Sequence, residues 1–234
     1  MTMPNQERHA PLPEPVEAAR TQKRYDRQAG LYDLFEAPLE LLAFGRLRRR
    51  LWSEVRGARV LEVGVGTGKN LPYHPDGARF VAVDISPRML RRAAGRALRL
   101  GRNVDLVLAD AQRLPFRDGA FDAAAATFVF CSVPDPIAGL EEVRRVLRGD
   151  GRVHLIEHVR ARNPLMGRLM DLLNPLWVRL AGANINRDTV SNVERAGIAL
   201  DGVESHGLGI VKLIRGSSGQ GALSQEVISD VAHG

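Results

Sequence analysis

The chain is 234 residues long, 44% hydrophobic and 26% charged, with a net charge of +6 from 33 Lys+Arg against 27 Asp+Glu. That length supports one sizeable core rather than two independent ones, and no apolar run approaches the ~20 residues of a bilayer span. A single cysteine, Cys131, excludes an intrachain disulfide and a cysteine-rich zinc site, so no metal is expected. Aromatic content of 5%, without basic–aromatic interleaving, argues against single-stranded nucleic acid as a partner.

Residues 1–18 are polar and proline-rich, reading as a disordered amino-terminal segment without the apolar stretch of a signal peptide; a cytoplasmic location is the expectation. A single domain is expected over 19–215, and 216–234 reads as a flexible tail. Tyr25 and Tyr32 stand seven residues apart, on one face of a helix, where they either pack in the core or close as a lid over a ligand. "FGRLRRRLW" at 44–52 is basic, and one reading rests it on an anionic membrane surface.

"RVLEV" (59–63), "RFVAVD" (79–84), "VDLVL" (104–108), "FDAAAATFVF" (121–130) and "GRVHLIE" (151–157) are nearly continuous in apolar residues, as strands covered on both faces must be. Two helical patterns fall between them. Ser86 caps and Pro87 opens the first, with Met89, Leu90, Ala93, Ala94, Ala97 and Leu98 on one face. Its arginines, Arg88, Arg92, Arg96 and Arg99, read as a solvated face, with a nucleic-acid groove as the alternative. The second has Asp135 as cap, Pro136 at the first turn, Ile137, Leu140, Val143 and Leu147 inward, and Gly149 as stop. Strands alternating with helices predict an α/β fold with a mostly parallel, doubly wound sheet. Runs at 200–205 and 210–214 predict a closing antiparallel hairpin.

"LEVGVGTGKNL" (61–71) places Gly64, Gly66 and Gly68 in five positions directly after the first strand. The spacing fits neither the dinucleotide fingerprint nor a phosphate-binding P-loop. Asp84 ends the second strand, where a carboxylate can accept both hydroxyls of a ribose. Asp110 and Ala111 follow the third, placed to take an adenine's exocyclic amine and a ring nitrogen. Glycine loop and two acids at successive strand ends describe an adenosine-containing ligand across the sheet edge.

"LEVGVGTGKNL", "VAVDIS", "LADAQRLPF" and "FDAAAATFVFCSVPDP…EEVRRVLRGDGRV" resemble, in order, the successive motifs of class I S-adenosylmethionine (SAM) methyltransferases. The resemblance implies a Rossmann-like seven-stranded fold and SAM as methyl donor, with S-adenosylhomocysteine as product. It implies that Glu62 and the backbone at Gly64 hold the methionine moiety. Asp84 would bind the ribose, Ile85 and Met89 the adenine face, and Asp110 and Ala111 its edge. Thr127 would sit by the methionine amine. "YDRQAGLYD" (25–33) is similar to the opening of quinone C-methyltransferases and phosphatidylethanolamine N-methyltransferases, which implies a helical lid over 19–56. "CSV", "EHV", "NPLW" and "GANINRDT" (131–133, 157–159, 174–177, 182–189) resemble small-molecule thiol methyltransferases.

The expected activity is therefore methyl transfer to a small lipophilic acceptor, a thiol being one candidate. The alternatives are a phospholipid amine or quinone at a membrane, a SAM-binding module without transfer, and an RNA methyltransferase that uses its arginines. Residues 160–187 form the expected helical insert on the substrate side. Its apolar stretch from Pro164 to Ala181 would line an acceptor pocket, close the core, or rest on lipid. His158, at the tip of the fifth strand, is the candidate general base; Asp171, on the insert, is a second candidate polar group. Cys131 reads as a small wall residue.

Overall fold

The computed structural model describes residues 19, 21–23, 44–161, 163–181 and 184–219, and in it seven strands form one sheet. These are β1 (Arg59–Val63), β2 (Arg79–Asp84), β3 (Val104–Leu108), β4 (Phe121–Thr127), β5 (Leu147–His158), β6 (Ala199–His206) and β7 (Val211–Ser217). Their order is β3-β2-β1-β4-β5-β7-β6. Strands β1 to β5 pair in parallel, and β7 runs antiparallel to both β5 and β6. The expected mixed sheet and closing hairpin are both present.

The alternation of a strand's side chains divides the core into two layers. Val60 of β1 packs with α1 (Gly45–Glu54), whose Leu51 and Trp52 are buried with Val55, the residue after it. Leu61 and Val63 face the other way, toward α3 (Pro136–Val146) and α5 (Thr189–Arg195), through Leu140, Val143 and Val193. Helix α2 (Pro87–Leu100) sets Ala93 and Ala97 on Val65, Leu71 and Ala82. Its start is as the sequence predicts, with the Ser86 hydroxyl accepting from Met89 N–H. Ala94 and Leu98, expected on the inner face, are exposed.

Three boundaries move for identifiable reasons. β4 stops at Thr127 because Phe128 takes φ +58°, which ends an extended strand. α3 closes at Val146, and Leu147 begins β5 directly, so Gly149 lies within a strand rather than stopping the helix. β7 continues to Ser217, paired with Arg152 and Ala199, two residues into the expected tail. Helix α4 (Pro164–Ala181) follows β5. Among the described residues no helix is long and apolar enough to cross a membrane.

Strand order reverses between β1 and β4, so the chain leaving their carboxyl ends runs to opposite sides of the sheet there. Open α/β sheets bind ligands at such a crevice.

Candidate functional site

A pocket of about 700 Å³, part of it open to solvent, occupies that crevice. Gly64 and Gly66 form its floor with φ of +68° and +54°, values that L side chains rarely adopt. A Cβ on Gly66 would meet nothing within 4 Å and project into open space, whereas one on Gly64 would stand 2.4 Å from Val129 Cγ2. Gly68 is not on the pocket. Its φ is +81°, and a Cβ would crowd Leu71 and the backbone of Ala93, so this glycine lets the loop approach α2.

Asp84 is fixed by two backbone donors: Gly66 N–H to Oδ2 and Ser86 N–H to Oδ1, each 2.8 Å. These two bonds set the plane of the carboxylate. Ile85 and Met89 line the same wall. Asp110 and Ala111 line the next. Asp110 accepts from Gln112 N–H at 2.9 Å and from the Gln112 amide at 3.0 and 3.1 Å; the Gln112 carbonyl accepts from Asp135 N–H. The adenine-side loop is thereby tied to the cap of α3.

Behind the floor lies a buried polar chain. Glu62 accepts from the Asn70 amide at 2.6 Å and sits 2.9 Å from His74 Nε2. Asn70 also donates to Thr127 Oγ1 at 2.9 Å and accepts from Arg48 Nη1 at 2.7 Å. Arg48 donates a further bond to Thr127 Oγ1 at 2.5 Å. Glu62 is thus held under the pocket rather than in its lining. Thr127 is on the lining, and both lone pairs of its hydroxyl already accept, so what it can offer a ligand is one donated bond. An ammonium has only donors, so this hydroxyl suits a carboxylate rather than the amine expected beside it.

The exit of β4 is held open by a second buried carboxylate. Glu157 accepts from Val129 and Phe130 N–H at 2.8 and 2.9 Å and from Cys131 N–H at 3.2 Å. Burial pushes its pKa up to about 7, against the pull of those three bonds. The loop so fixed carries Phe128, Val129, Ser132, Val133 and Pro134 onto the pocket wall. The Phe128 ring stacks on His158 at 4.6 Å and meets Phe44 at 4.7 Å. Cys131 is buried, and desolvation raises its thiol pKa far above the ordinary range, so it is an inert packing group.

The structure gathers Gly64, Gly66, Asp84, Ile85, Met89, Asp110, Ala111 and Thr127 on one pocket. His158 is outside the lining, touching it through Phe128. Asp171 is also outside: it is exposed, paired through both oxygens with Arg160 and bonded by Asn186. Tyr25 and Tyr32 lie outside the described residues, although Thr21, from the expected lid region, reaches the pocket. Arg48, Asn70, His74 and Phe128 escape sequence reading. For Arg48 a signal existed: Arg48, Leu51, Trp52 and Val55 share the i, i+3, i+4, i+7 spacing of a buried face. Read as part of a basic surface strip, Arg48 instead points into the core.

Do these residues fit SAM? Gly66 leaves open the space that a Cβ would enter, two fixed carboxylates stand where ribose and adenine are expected, and Thr127 offers a donor for an amino-acid carboxylate. They fit.

Residues 61–155 match the family described as a methyltransferase domain. The chain is 38% identical over 132 residues to a phosphatidylethanolamine N-methyltransferase of Cereibacter sphaeroides, spanning 53% of this chain and 65% of that one. It is 32% identical over 184 residues to a ubiquinone/menaquinone biosynthesis C-methyltransferase of Hahella chejuensis, covering 72% of each. A human thiol S-methyltransferase is 31% identical over 163 residues, covering 64% of this chain and 66% of that one. Among solved structures, a SAM-dependent methyltransferase of Thermotoga maritima, a possible histamine N-methyltransferase, superposes with a TM-score of 0.66. It is 21% identical and covers 85% of this chain and 99% of its own.

Proposed function

Because this chain belongs to the class I SAM-dependent methyltransferases, we propose that it methylates a small lipophilic acceptor, with thiols as the leading class. The observation that carries the acceptor reading is the wall beyond Thr127. Phe128, Val129, Val133 and Pro134 are apolar, Ser132 supplies a hydroxyl, and no charged side chain occurs in 127–134. Such a wall excludes water from a neutral acceptor and has no carboxylate to recognise a cationic amine.

When bound, SAM supplies a methyl group on a positively charged sulfur, open to in-line displacement. The protein's task is then positioning, which can supply several kcal/mol. In this reading Asp84 holds the ribose, Ile85 and Met89 flank the adenine, and Asp110 with Ala111 N–H reads its edge. Gly64 and Gly66 let the backbone approach, and Thr127 donates to the carboxylate end. Glu157 fixes the Phe128–Ser132 loop and so the distance between the acceptor wall and the floor. For a thiol, with reference pKa near 8.5, His158 is the imidazole stacked behind that wall. A His158→Ala variant with an unaltered pH–rate profile would remove it as the base.

A second reading, transfer to a phospholipid amine or a quinone carbon at a membrane surface, is supported by the similarity to relatives with those activities. Transfer of tritiated methyl from SAM to thiols, phosphatidylethanolamine and quinones, compared side by side, tests both. Label in the thiol alone supports the first reading. Label only in the lipid amine or quinone replaces it with the second.

A further inference from the structure

Helix α4 turns its apolar residues outward. Leu165 is 79% exposed and Leu172 76%, and Met166, Leu169, Leu173 and Leu176 are exposed with them. At 100° per residue these six positions fall within an arc of about 120°. The opposite side is the one that packs: Gly167 against the Arg160 guanidinium, Met170 Sδ accepting from Ala161 N–H at 3.3 Å, and Asn174 on Asn184 and Ile185. Apolar leucines on the outside of a packed helix need an occupant.

Two further observations say which. Arg168 and Arg179, both exposed, border one edge of the arc, while Asp171, the helix's single carboxylate, is taken up by Arg160. A second copy on this stripe would bring arginines together with no carboxylate beside them to pair. An anionic surface receives them, their stems lying along the apolar face. At the same edge of the sheet, the β6–β7 turn presents Leu208 at 93% exposure, between Gly207 and Gly209. Leu208 itself holds φ +58°, a conformation that costs a leucine energy. Ile210, in that turn, accepts from Val159 N–H, just before α4 begins.

We propose that α4 and the Leu208 turn dock on the surface of an anionic phospholipid bilayer, α4 lying in the interface plane. This rests on the lipophilic-acceptor reading and gives that acceptor a route. α4 is joined to the pocket loop: the Asn174 amide donates to Asn184 Oδ1, and Asn184 donates from backbone and side chain to the Cys131 carbonyl. Docking therefore brings the loop that carries the pocket wall close to the bilayer.

Cosedimentation of the full chain with vesicles of phosphatidylcholine, alone or with phosphatidylglycerol, tests this. Binding is expected to require the anionic lipid. The pair Leu172→Glu with Leu176→Glu should lower it at least tenfold, and Arg168→Gln with Arg179→Gln about fivefold per residue on anionic vesicles only. S-adenosylhomocysteine affinity, measured by calorimetry, should stay unchanged in both pairs, which shows the variants to be folded. A parent chain that does not pellet with anionic vesicles overturns the proposal. So does a leucine pair that pellets like the parent, or one whose effect is to dissolve a dimer in sedimentation velocity. Transfer to a detergent-dispersed acceptor is read separately: its loss with vesicle binding intact fells the acceptor reading alone, and the reverse result fells the docking surface alone.

Discussion

Gly66 and Gly68 are two positions apart in one loop, yet they answer to different requirements. Gly66 has space on its Cβ side and a pocket above it; Gly68 has Leu71 Cδ1 at 2.7 Å and Ala93 Cα at 3.3 Å. Gly66→Ala should therefore cost about 1 kcal/mol of stability, from the left-handed backbone alone, and more than tenfold in S-adenosylhomocysteine affinity. Gly68→Ala should reverse the balance, losing about 2–3 kcal/mol in urea denaturation with a smaller change in affinity. Arg48 gives a second contrast within a single basic run. Arg48→Met strands the buried Asn70 Oδ1 and should destabilise by about 2 kcal/mol, while exposed Arg46→Met should stay within about 0.5 kcal/mol. The acids at strand ends were legible because strand periodicity fixes where they fall. The partners of Arg48 were not, since Thr127 is 79 residues away and only the closed fold brings them together.

Strand β5 carries two buried titratable groups with opposed effects. Burial holds the His154 imidazole down at about 4, against an ordinary 6.5. Its contribution is whole above 6.5 and is lost as pH falls toward 4. Glu157 is pushed up from 4.5 to about 7, so the folded chain holds an extra proton between those values. Its contribution is whole below 4.5 and is lost as pH rises to 7. Arg187 is a cation in electrostatic reach of Glu157 and Cys131. Glu54 and Glu142 are held below 4.5 by arginine partners and titrate under this window, while His206, lowered by burial, adds to the histidine slope. Glu157→Gln removes the falling slope. Between pH 5 and 6.5 its unfolding free energy should rise more steeply with pH than the parent's, by about 1 kcal/mol per pH unit, measured by urea titration at several pH values. At this scale β1, β2 and β3 were readable from nearly continuous apolar runs, although β3, at the edge of the sheet, is only partly covered. The outward face of α4 was not, because apolar content alone does not say which side of a helix finds a partner.

The pocket draws its walls from the ends of four strands and the loops beyond them, so a ligand there braces much of the sheet. S-adenosylhomocysteine at a hundred times its dissociation constant should add about 2.7 kcal/mol, or roughly 5–10 °C in melting temperature for a chain of this size. Asp84→Ala, which frees the Gly66 and Ser86 N–H groups along with the expected ribose contact, should abolish that increment in a thermal shift assay. The wedging of β7 between β5 and β6 has a consequence in time as well as space. A ribosome finishes β5 some sixty residues before it finishes β7, so at cellular rates one edge of β5 waits roughly 3–12 s for its neighbour. Throughout that interval β6 has no sheet to join. Nascent chains arrested before residue 211 should therefore stay open to protease until this strand closes the sheet.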